Sequence, residues 1–306
     1  MAFNQKNRLN YRKTKSELCG KWVVTFFGFF LIALTLCLIL FISFQGLQTF
    51  FVNHVSPLKF LFSTDWRPDS EKVIGAPFIG ALIFIVGSIS VSLIALLIST
   101  PFSIATAIFM TEISPRLGKK FLQPAIEMFV GIPSVVYGWV GLSLLVPFIR
   151  NIFGGLGFSL LAGGLVLSIM IFPTIVSVSA DALRTIPNDF REASYALGAT
   201  RWQTIRRVLV PAALPGILTG IVLGLARAFG EALAVQMVIG NTIRIPGSLL
   251  ESTTNLTSII TMDMGNTVSG TLWNNALWSM ALLLLAISFI FIILIRKIGA
   301  KGGLQR

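Results

Sequence analysis

The segment DFREASYALGATRWQTIRRVLVP, Asp189 to Pro211, is a polar island between long apolar runs. It holds six charged residues, Asp189, Arg191, Glu192, Arg201, Arg206 and Arg207, in a chain of which only 12% is charged. Such a segment belongs in water. Its local signals predict two short helices meeting at a glycine. Asn188 or Asp189 accepts the first free amide protons, Gly198 closes the first helix in a left-handed conformation, and Thr200 caps the second. Ala193, Ala196 and Leu197 fall on one side of the first helix, and a short amphipathic helix needs a partner surface to be stable. The pair is built either to dock into another protein or to rest on lipid headgroups.

The surroundings of this island exclude a soluble domain. Of 306 residues 55% are hydrophobic, and the mean hydropathy is +0.84, values that mark an integral membrane protein. The formal charge of +12 is the basic excess expected on one side of a membrane. Nucleic-acid binding is not expected, because no basic stripe with interleaved aromatics occurs. Cys19 and Cys37 lie in or beside the first apolar run, so no disulfide framework or metal site follows.

Outward from the island, the apolar runs count as six spans. Lys6, Arg8, Arg12, Lys13, Lys15 and Lys21 precede the uncharged Trp22–Phe44, long enough at ~1.5 Å per residue to cross a hydrocarbon core of ~30 Å. No small-x-small exit follows it, so it is read as an anchor and not a cleaved signal. Val73 to Thr111 is uncharged for 39 residues. One crossing bent at Pro101 returns Arg116, Lys119 and Lys120 to the N-terminal side, whereas two crossings would place them outside, against the charge bias. Phe121–Ile149 (with Glu127 and Pro133), Asn151–Ala180 (with Pro173), Ala212–Gly240 and Asn274–Ile295 complete the set. Breakers of this kind are tolerated where neighbours satisfy the freed backbone groups.

This arrangement puts eighteen basic residues inside and five outside, Lys59, Arg67, Lys72, Arg150 and Arg244, with Arg227 within a span. Both termini and the polar island are then cytoplasmic. The expected divisions are a basic N-terminus (1–21), a first helix (22–44), an extracytoplasmic loop (45–72), a transmembrane domain (73–296) with its cytoplasmic loop at 181–211, and a tail (297–306). Single cysteines at Asn4, Gly118, Thr200 and Gly302 should react from inside, and at Asp69 and Thr254 from outside.

No G-x-x-x-x-G-K-[S/T] loop is present, so ATP would be handled by another polypeptide. His54 has no carboxylate or cysteine at ligand spacing, which argues against a metal or catalytic role. The fifth run is different. Arg227 and Glu231 lie roughly 22 Å and 28 Å along it from Ala212 at ~1.5 Å per residue. Four residues apart, they would share a helix face. Charges at that depth face a partner or a water-filled path: either the two form a neutralised pair that locks helices, or they line such a path. Gly216, Gly220, Gly224, Ala228 and Ala232 also recur every four residues, a ridge read as packing.

Glu192-Ala193-Ser194, Gly198 six residues after the glutamate, and Val208-Leu209-Val210-Pro211 nine residues further on resemble the EAA signature of ABC-importer permeases. That signature reads E-A-A, three residues, G, nine residues, I-x-L-P. Ser194 replaces an alanine, and two valines replace isoleucine and leucine. The resemblance implies that Glu192, Ala193, Ser194, Gly198, Ala199 and Pro211 belong to a coupling loop that inserts into a groove of the ATPase subunit. Gly224–Asn241, GLARAFGEALAVQMVIGN, is similar to the fifth span of phosphate permeases of the PstC type, G-L-x-R-A-x-G-E-x-x-A-V-T-M-V-I-G-N, with Gln236 in place of the threonine. Gly131–Gly138 (GIPSVVYG) and Phe62–Trp66 also resemble that family.

The family implies an all-α membrane protein of the type I ABC importer (MetI-like) fold, with six transmembrane helices and both termini cytoplasmic, in a bacterial or archaeal cytoplasmic membrane. It implies no cofactor and no catalysis by this subunit. The partners implied are a homologous permease of the PstA type, a cytoplasmic ATPase dimer, an extracytoplasmic phosphate-binding protein and membrane lipid. Arg227 and Glu231 would lie on the phosphate pathway. A permease for another oxyanion, or an ion-coupled carrier or channel with no need of an EAA loop, are the alternatives.

Overall fold

A computed structural model describes residues 2–68 and 78–303. Asp69, Lys72 and the start of the second apolar run lie outside the described residues, as does the exposure of Asn4 and Gly302. Among the described residues the regular structure is helical apart from one antiparallel pair of two-residue strands, β1 (Trp66–Arg67) and β2 (Phe78–Ile79), and an isolated parallel bridge between Gly240 and Thr253. Six helical segments are long and apolar enough to cross a membrane: Gly20–Phe51, Leu82–Ile113, Ser134–Phe153, Leu160–Arg184, Arg201–Gly230 and Leu272–Lys297. An even number of crossings returns the last helix to the side of the first.

No proline precedes Pro57, and the first helix, α1 (Ala2–Phe51), runs unbroken. Helix α2 (Pro57–Phe62) starts at that proline, whose missing N–H costs nothing at a first turn. The second apolar run forms one helix, α3 (Leu82–Ile108), with Pro101 inside it and a wide π turn, Phe109–Ile113, at its end. The third run divides. Helix α4 (Gln123–Gly131) stops before Pro133, which forces Ile132 into an extended conformation (ψ 128°). The crossing begins only at α5 (Ser134–Val140) and ends in α6 (Val146–Phe153). Asn151 therefore closes the third span and does not open the fourth. Arg150, expected in an outside loop, lies in the last turn of α6.

The fourth span, α7 (Leu160–Arg184), begins at Ser159, whose hydroxyl accepts the Ala162 N–H at 3.1 Å. It is followed by α8 (Asn188–Ala196) and α9 (Arg201–Thr204) of the polar island, then α10 (Val210–Gly230), α11 (Leu233–Ile239), α12 (Leu256–Asp263) and α13 (Leu272–Gly303). The centre of the bundle is α7 packed against α3 and α10. A Cβ on Gly216 would come within 2.4 Å of Ala182 Cβ, and one on Gly224 within 2.7 Å of Ile175 Cγ1. The glycine ridge is the seat of α7, a close approach suited to lipid, where van der Waals packing replaces the hydrophobic effect between helices.

The Ser/Thr-rich stretch Asn241–Trp273 folds back into the outer end of the bundle. A Cβ on Gly87 would lie 2.0 Å from the Thr254 carbonyl oxygen, and Ser88 Oγ accepts the Leu256 N–H at 2.9 Å. Leu256 and Ile259 join Phe60, Trp66, Phe84 and Leu277 in an outer core. Thr254 is therefore buried and unfit as an outside labelling position. Gly118 is unfit inside, because a Cβ there would meet the Met110 carbonyl oxygen at 2.4 Å. Helix α13 holds α1 only near its outer end, where Ser279 Oγ reaches the Gly46 carbonyl and Thr49 Oγ1, both at 2.6 Å. The inner half of α1 is uncovered from Trp22 to Leu40.

Candidate functional site

In the polar island the first cap differs from expectation. Pro187 stands at the N-cap without a side-chain bond, Asn188 is already helical, and Asp189 sits in the first turn, where a carboxylate complements the helix dipole. Gly198 has φ +80°; its N–H donates to the Tyr195 carbonyl at 2.9 Å, and the Ala199 N–H donates to Ser194 at 3.2 Å. Those two bonds form a Schellman cap. Thr200 caps α9 and shares a capping box with Gln203. Ser194, the departure from alanine, is buried and lies 2.9 Å from Thr204 Oγ1, so it ties α8 to α9. Glu192, Ala193, Ala196 and Pro211 are exposed, and Leu197 is 89% exposed. The face that needs a partner is thus free.

The opposite face is fastened. Arg191 Nη2 and Nε donate to the two Glu112 oxygens at 2.6 Å and 3.2 Å. Further guanidinium donors reach the carbonyls of Ile186 (3.0 Å) and Leu183 (3.3 Å) at the end of α7. Hydrogen bonding to Glu112 holds the Arg191 pKa above even its ordinary high value. Arg201 Nη2 donates to the backbone carbonyls of Glu112 and Ile113. Glu112 was not singled out in the sequence. The available signal was its place directly after the uncharged run ending at Thr111.

Within the membrane the fifth span is broken, and this alters the relation between Arg227 and Glu231. Helix α10 ends at Gly230, and Glu231 is extended (φ −78°, ψ 123°), so the two residues do not share a continuous helix face. Arg227 Nη1 donates to Thr174 Oγ1 at 3.2 Å, next to Pro173 of α7. The buried Glu231 carboxylate accepts the Ala234 N–H at 3.0 Å and caps α11. Among the described residues the ion pairs are Arg184–Asp181, Arg191–Glu112 and Arg244–Glu251. The expected hold of Glu231 on Arg227 is replaced by a helix cap. The Glu231 carbonyl accepts from Thr257 Oγ1 at 2.8 Å, and Gln236 Oε1 from Thr261 Oγ1 at 2.9 Å, so α12 seals the break. Gly138 in α5 lets the third span approach α11, since a Cβ there would lie 2.9 Å from Ala234 Cα.

Residues 99–301, which hold the polar island and the broken span, match the family described as binding-protein-dependent transport system inner membrane component. The chain belongs to this family. It is accordingly a multi-pass permease subunit of the inner membrane, the non-catalytic transmembrane part of an ABC importer. Among its relatives, the probable ABC transporter permease protein YqgH of Bacillus subtilis is 55% identical over 286 residues, covering 93% of this chain and 91% of that protein. The phosphate transport system permease protein PstC of Mesorhizobium japonicum is 36% identical over 285 residues, 85% of this chain and 83% of that one. The fold of this permease is similar to that in the inward-facing MetNI methionine ABC transporter, with a TM-score of 0.55 and 20% identity over 71% of this chain and 93% of the other.

Proposed function

We propose that this permease is the PstC-type half of an ATP-driven phosphate importer. It pairs with a homologous PstA-type permease, receives phosphate from an extracytoplasmic binding protein and is driven by an ATPase dimer docked on α8. The 36% identity to a PstC protein over 285 residues supports the substrate, as does the Gly224–Asn241 pattern. The observation that carries the pathway is Arg227, a half-buried guanidinium in the last turn of α10 whose bond is to the Thr174 hydroxyl and not to a carboxylate.

Phosphate carries one to two negative charges near neutral pH and cannot enter hydrocarbon bare, so a cation inside the path lowers the barrier. A planar guanidinium offers paired donors to a tetrahedral oxyanion. Thr174 then holds Arg227 weakly enough to exchange for the ion. Glu231 acts beside the path as the residue that fixes the break in span five. A lock between Arg227 and Glu231 would need an ion pair, and none joins them among the described residues.

The test is phosphate uptake per assembled complex, with sulfate and molybdate as controls. Arg227→Gln should abolish uptake with assembly intact. Glu231→Gln, which can still accept the Ala234 N–H, should retain most of it. Full uptake by Arg227→Gln removes the relay; sulfate or molybdate uptake in place of phosphate moves the substrate to another oxyanion.

A further inference from the structure

The second span is not a chain neighbour of the docking loop. Glu112 and Arg191 are 79 positions apart, whereas α8 is joined to α7 by three residues and to α10 through α9. Apolar packing of Ala107 with Leu183, Ile186 and Ile205 lies beneath the joint, but such surfaces can slide. The bidentate Glu112–Arg191 pair fixes both distance and direction. Its side chains are only 10% and 19% exposed, so solvent screens it little. Arg191 also donates to the Leu183 carbonyl in the last turn of α7 and to the Ile186 carbonyl just beyond it, and Arg201 donates to the last carbonyls of the π turn that ends α3. Four elements therefore meet around the Glu112–Arg191 pair: the ends of α3 and α7, and both helices of the loop.

We propose that Glu112 is a positioning residue for coupling, the joint through which displacement of the exposed α8 face is handed to the second span. The proposal rests on reading α8 as the ATPase-docking element. Without the joint, α8 would still drag α7 and α10 through the chain itself, but α3 would be left behind.

The test uses the complete complex of both permeases and ATPase in proteoliposomes. Cys19 and Cys37 are replaced, and spin labels are placed on cysteines at the exposed Leu97 of α3 and Leu223 of α10. The parent complex should change its inter-label distance between the nucleotide-free and vanadate-trapped states. Glu112→Gln should keep the ATPase bound and hydrolysing, lose that change, and lower phosphate uptake per ATP by roughly ten-fold, the scale of one charge-assisted hydrogen bond. Arg191→Gln should do at least as much, and the double variant no more than Arg191→Gln alone, because both act through one contact. If Glu112→Gln lowers the amount of complex, Glu112→Asp takes its place, with each ratio taken per assembled complex. An unaltered distance change and uptake ratio with ATPase bound would overturn the joint. Failure of the parent chain to retain the ATPase, with no cross-link from Leu197→Cys to it, would instead overturn the docking reading on which the joint rests.

Discussion

Nothing lies within 4 Å of a Cβ built on Gly198, so the cost of a side chain there is wholly that of the backbone, about 1–2 kcal/mol at φ +80°. Gly198→Val should therefore insert and assemble yet uncouple uptake from ATP hydrolysis, while Gly198→Asn, which tolerates the left-handed region, should retain coupling. Uptake and hydrolysis measured per assembled complex decide this. Ser194→Ala restores the residue usual in the signature and removes one hydroxyl, but Thr204 Oγ1 keeps its bond to the Thr200 carbonyl at 3.1 Å. The loss should stay near 1 kcal/mol, visible as a small fall in melting temperature with uptake unchanged. Gly198 and Thr200 were legible in the sequence because their roles are set by neighbours within four residues. The partners of Arg191 and Arg227 were not, because each lies on a helix more than 50 positions away.

At the scale of elements, the i, i+4 spacing of Arg227 and Glu231 misled because it presumes an unbroken helix, and the residue that breaks the helix is one of the pair. Pro133 misled in a similar way: read as a breaker inside the third span, it marks where that span begins. The ridge was legible from Gly216 to Gly224, since small residues every four positions carry their meaning in the spacing, but its last member, Ala232, falls beyond the break and outside α10. Gly224→Ala should cost about 1–3 kcal/mol by overpacking against Ile175, and adding Ile175→Val should recover part of it. Thermal unfolding of the purified complex is the measurement. Glu231→Leu, which cannot cap α11, should release that helix and its seal on α12. Spin labels on cysteines at Gln236 and Thr261, whose native side chains meet at 2.9 Å, should then report a longer and broader distance than in the parent.

For the whole molecule, composition was enough for the number of candidate spans and the charge bias predicts their direction, while the depth of the outer layer was hidden in a stretch that reads as a loop. Labelling with an impermeant thiol reagent should find cysteines at Lys119 and Thr200 inside and at Val268 outside, with Thr254→Cys unreactive until the protein is unfolded. External reaction at Lys119 would mean that the second run crosses twice. The outer layer also joins distant parts of the chain, Ser88 with Leu256 across 168 positions and Asn53 with Asn275 across 222. During synthesis the early spans must therefore wait in the bilayer with their outer ends open until the last helix leaves the ribosome. A chain stalled before Leu256 would keep the cytoplasmic loop but expose Phe60, Trp66 and Phe84, so its age is written on its outer surface, where a quality-control protease could read it.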